Sequence, residues 1–70
     1  MAPVIVVHRP SSSGGRRVTV DDAILGLART DRDLIEFLRR AGLENAEELV
    51  LGDSPLIDWR GGHAHEYEAA

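Results

Sequence analysis

The chain has no cysteine and no lysine, and a single Phe, a single Tyr and a single Trp bring its aromatic content to only 4%. Without cysteine there is no disulfide framework, no thiolate zinc site and no cysteine nucleophile. A 70-residue chain lacking these staples depends on its core or on a second subunit. Chains of this size bury only about 60% of their unfolded surface, so dimerisation is a natural remedy. All eight basic residues are arginine, and arginine codons are GC-rich where lysine codons are AT-rich, which points to a GC-rich bacterial genome. Long hydrophobic runs are missing too. The longest, Val4-Ile5-Val6-Val7, cannot span a bilayer, and no Lys or Arg precedes it as a signal peptide requires. The expectation is a soluble, cytoplasmic protein with no membrane partner. A net charge of -4 and a pI near 5.2 argue against generic binding of nucleic acid, which rests on a basic surface.

What is present is a globular balance: 43% hydrophobic, 29% charged and a mean hydropathy of -0.18, unlike the composition of disordered chains. We read one small domain over residues 1–70, with 68–70 as a frayed end. The β-branched run predicts a first strand from Pro3 to Arg9. Pro10-Ser-Ser-Ser-Gly-Gly15 breaks it, and Arg16 to Val20 resumes with the alternation of a half-buried strand. Ala23 to Ala28 reads as a third strand. A two-residue turn at Asp21-Asp22 then sets Val20 opposite Ala23 and Val18 opposite Leu25.

Thr30 is a good N-cap, Asp31 and Asp33 place negative charge in the first turn of the helix that follows, and Arg39 and Arg40 place positive charge in its last. Gly42 stands where a left-handed residue closes a helix, with Leu43 beyond it able to pack on Leu38. Leu34, Ile35, Leu38 and Ala41 form the buried stripe, widened by Phe37. A shorter helix follows, with Asn45 as N-cap, Glu48 in its first turn and Gly52 as stop, and Leu49 and Leu51 docking inward. Leu56 to Arg60 reads as a strand, Gly61-Gly62 as a hairpin turn, and His63 to Tyr67 as a candidate return strand. The fold class is therefore α+β, in the order β-β-β-α-α-β, with a small antiparallel sheet covered on one face by a main helix and a short one.

In that hairpin His63 and His65 share a face, with Asp58 opposite His65, a ligand set divalent metals accept. Arg60, opposite His63, works against it, and no cofactor is implied. Serines, histidines and aspartates all occur, but no G-x-S-x-G elbow presents a nucleophile, so binding rather than catalysis is expected. The loop Ser11-Ser12-Ser13-Gly14-Gly15-Arg16-Arg17 could cradle phosphate, although it lacks the spacing of a P-loop and leads into a strand, not a helix N-terminus. The run Leu38-Arg39-Arg40-Ala41-Gly42-Leu43-Glu44-Asn45-Ala46-Glu47-Glu48-Leu49 locally resembles the hairpins of helix-hairpin-helix proteins, which grip phosphates with a glycine-bearing loop. It lacks their second glycine, and Glu44, Glu47 and Glu48 would repel phosphate, so no function follows from it. Arg16, Arg17, Arg39 and Arg40 are the residues a nucleic-acid partner would use.

Phe37 belongs to the core, whereas Trp59 could anchor an interface. Leu56 and Tyr67 would share the histidine face and give it an apolar patch beside Arg60. The expected function is that of a small regulatory or accessory domain that binds a protein, either a separate partner or a second copy through a sheet edge or the Trp59 strand. A metal or small ligand at Asp58, His63 and His65, and a nucleic acid at the arginines, are the alternatives.

Overall fold

A computed structural model describes residues 3–68. It is α+β: strands β1 (Ile5–Pro10), β2 (Arg16–Val20) and β3 (Ala23–Ala28), helices α1 (Asp31–Arg40) and α2 (Ala46–Leu51), and strand β4 (Ile57–Trp59). The sheet order is β3-β2-β1-β4. β1, β2 and β3 form an antiparallel meander, while β4 runs parallel to β1, so the sheet is mixed. The parallel pair follows from the route of the chain. α1 and α2 carry it across the sheet from β3 at one edge to β4 at the other, the crossover that parallel strands need.

The Asp21-Asp22 turn forms with φ of 51° and 69°, both left-handed as in a type I′ turn, a conformation that Asp tolerates better than most residues. Val20 faces Ala23 as expected, but Thr19 pairs with Ile24 and Val18 with Gly26. Leu25 is the extra residue of a β-bulge, so it does not face Val18. Gly26 makes the bulge possible. Its φ is 153°, and an added Cβ would stand 2.8 Å from the Phe37 ring, so the ring closes over the place where a side chain would be.

α1 is capped as the sequence predicts. Thr30 Oγ1 accepts from the Asp33 amide at 3.2 Å, and the Asp33 carboxylate accepts from the Arg29 amide at 3.1 Å. At the other end the amides of Gly42 and Leu43 donate to the carbonyls of Arg39 and Leu38, the paired bonds of a Schellman motif. Leu34 and Leu38 are buried, but Ala41, at the C-cap position, is exposed and outside the stripe. In α2, Ala46, Leu49 and Val50 are buried while Leu51 is 57% exposed, because a 3.6-residue period turns it away from that stripe. Asn45 occupies the N-cap position without a side-chain cap bond.

The core lies between the helices and the sheet face that carries Ile5, Val7, Val18, Val20 and Ile57. Beyond β4 the expected hairpin does not form. Among the described residues no strand follows Trp59. Gly61 adopts φ 68° with the Arg9 side chain 2.8 Å from where a Cβ would sit, and the chain folds back as an irregular strap, residues 60–68. Of the end expected to fray, residues 69–70 lie outside the described residues. No helix among those described is long and apolar enough to cross a membrane.

Candidate functional site

Arg16 shares its side of β2 with Val18 and Val20 and is fully buried. Among the described residues it has no carboxylate partner. Nε donates to the His8 carbonyl at 2.8 Å, Nη1 to those of His63 at 3.0 Å and Glu66 at 2.9 Å, and Nη2 to those of Val7 and Arg60. All five N–H groups of the guanidinium are thus satisfied, and three of the acceptors belong to the strap. Burial lowers the Arg16 pKa from its ordinary value. Its guanidinium also lies 5.3 Å from the centre of the Trp59 ring, within cation–π range.

The same strap is fastened a second time. His65 Nδ1 lies 2.8 Å from Asp31 at the start of α1, and Nε2 is bonded to Asp53 just after α2. The buried Tyr67 hydroxyl donates to the other oxygen of Asp31, and the Tyr67 carbonyl accepts from the Gly15 amide at 2.8 Å. Trp59 packs against both rings, 5.3 Å from His65 and 6.0 Å from Tyr67. His65 and Asp53 both have left-handed backbones, with φ of 67° and 52°, an uncommon conformation that the surrounding contacts must hold in place. The bonds to Asp53 and Asp31 raise the His65 pKa above its ordinary 6.5. Burial, then the bond to Asp31, pushes the Tyr67 hydroxyl upward, so it stays a donor.

The metal set read from the sequence is not assembled. Asp58 is paired with Arg60 at 2.8 Å, His63 is exposed, and both ring nitrogens of His65 are occupied by carboxylates. Among the described residues no group of three His, Asp or Glu side chains is arranged to hold a metal ion. The premise that failed is the hairpin, which would have put Asp58, His63 and His65 on neighbouring strands.

The interaction patch is likewise divided. Leu56 is exposed, but Tyr67 is buried and Trp59 half-buried, spent on the strap instead of facing outward. Of the four arginines, Arg16 is enclosed, Arg39 and Arg40 pair with Glu47 at 3.3 Å and Glu36 at 3.5 Å, and Arg17 is exposed. Asp31 and Asp53 escaped the sequence reading, since nothing local ties them to His65. The burial of Arg16 was available from its parity with Val18 and Val20.

A second feature lies on the opposite face of the sheet. The β1–β2 and β2–β3 registers place Val6, Thr19 and Ile24 in one row across it. Ile24 is 68% exposed, Val4 59% and Leu27 41%. His8 Nε2 meets Thr19 Oγ1 on this face at 2.9 Å, and Arg17 pairs across with Leu27. Comparison with protein-family models, curated protein sequences and solved structures returns no match.

Proposed function

We propose that the chain is a non-enzymatic protein-binding domain that associates with a second copy of itself through the sheet face opposite the helices. The observation that carries this reading is the exposure of Ile24, Val4 and Leu27 together on that face, where apolar area withdrawn from water would drive docking. Its charges favour a second copy as the occupant. β2 carries Arg17 near its start and runs into Asp21 and Asp22 at its end, so a copy turned end for end sets Arg17 against the partner's acidic turn. Trp59, the anchor expected from the sequence, is half-buried and packs on His65 and Tyr67.

Sedimentation velocity over a range of concentrations tests this with the wild type and Ile24→Asp. The expected result is a wild type whose mass rises with concentration and an Ile24→Asp variant that stays monomeric with an unchanged circular dichroism spectrum. A wild type that is monomeric throughout, or a dimer that Ile24→Asp leaves intact, would overturn the proposal.

A further inference from the structure

His65 stands between two carboxylates, one from each helix end, and each of its ring nitrogens faces a carboxylate oxygen. A neutral imidazole has one N–H and one lone pair, so it could donate to only one of them and would turn its lone pair on the other. The two bonds exist together only when both nitrogens carry a proton. We infer that protonated His65 is a latch closing the strap of residues 60–68 over the core, and that losing this proton loosens the strap.

The surroundings support the assignment. The groups facing His65 are Asp31 from the first turn of α1, Asp53 from the connection after α2, and Trp59 from β4. Tyr67 of the strap shares Asp31 and packs with His65 around Trp59. Arg16, the cation packed on the Trp59 ring, lies 5.3 Å from its centre. The carboxylates meet His65 directly, through one bond to each ring nitrogen. The direction of the His65 pKa, upward through its bonds to Asp53 and Asp31, agrees. Because the folded value is raised above the ordinary 6.5, the contribution is whole below about that pH and drains away as pH rises through the folded value. Deprotonation severs one of the two carboxylate bonds. It leaves the strap on Arg16, Tyr67 and the Gly15 amide, so the response is a loosening of the strap within a folded domain.

The test is an NMR titration of the full chain from mildly acidic to alkaline pH. It follows the ring nitrogens of His8, His63 and His65 together with exchange of the Gly15 amide, corrected for the intrinsic pH dependence of exchange. Expected is a His65 with both ring nitrogens protonated while it bridges Asp31 and Asp53, and a midpoint above the ordinary 6.5. Gly15 exchange should accelerate roughly fivefold, the equivalent of one ordinary hydrogen bond, with the midpoint of His65. Asp53→Asn, a change at an exposed position, should lower that midpoint while the fold is retained. A His65 midpoint at or below the ordinary 6.5, Gly15 protection that stays level through the His65 transition, or a midpoint unmoved by Asp53→Asn would each overturn the inference.

Discussion

The block formed by β1, β2, β3 and α1 and the strap of residues 60–68 are held by different forces. In the block, neighbours in sequence are neighbours in space, joined by an Asp-Asp turn, a Thr30 cap and a Schellman ending, with apolar side chains between layers. In the strap almost every tie is polar and long-range. Arg16 reaches the carbonyls of His63 and Glu66 across 47 and 50 residues of sequence, and Asp31 takes Tyr67 and His65 from 36 and 34 residues away. The lesson is that a small core can be extended by one buried cation that gathers backbone carbonyls, where an apolar strand would need another strand to pair with.

Arg16→Met is the sharpest way to break this contrast. It keeps an apolar stem beside Trp59 but abandons five carbonyls at once, and should cost about 3 kcal/mol or more in urea unfolding, comparable to removing one partner of a buried pair. A loss below about 1 kcal/mol would show that the strap is not organised by Arg16. Next in size, Tyr67→Phe removes the hydroxyl that Asp31 accepts and should cost about 1.5–2 kcal/mol, lowering Tm by roughly 6–15 °C for a domain this small. Hydrogen exchange should show the loss first in the Gly15 amide, with β1 and β2 protected as before. The smallest effect, about 1 kcal/mol, is expected for Thr30→Ala, which deletes the cap of α1. That change belongs to the block, yet Asp31 is the first residue of the helix it caps. Loosening of the strap in Thr30→Ala, seen as faster Gly15 exchange, would show that the two regions share that turn; a strap left untouched would show them independent.

The division between block and strap is also the division between what could and could not be read from the residues alone. The bounds of β2, β3 and α1 are encoded within a few positions of themselves, by alternation, by the Asp-Asp turn, and by caps at Thr30 and Gly42. Gly26, a lone glycine inside a strand pattern, is the local signal of the bulge. The hairpin failed for a reason of the same kind: Gly61-Gly62 does mark a sharp change of direction, but whether a partner strand follows depends on what the returning chain meets. It meets Arg16, some fifty positions earlier, and no local pattern links the two. The residues alone set His65 against Asp58, whereas its partners are Asp31 and Asp53 at the helix ends.

The bulge at Leu25 has one more consequence. β3 is an outer strand of the sheet, and its six residues, Ala-Ile-Leu-Gly-Leu-Ala, contain no charge, a composition that invites strand-upon-strand polymerisation. An irregular backbone in the middle of that strand spoils the even spacing of its free amides and carbonyls, so another chain finds no continuous ladder to extend. What lysine does at the rims of many sheets is done in this lysine-free chain by one extra residue.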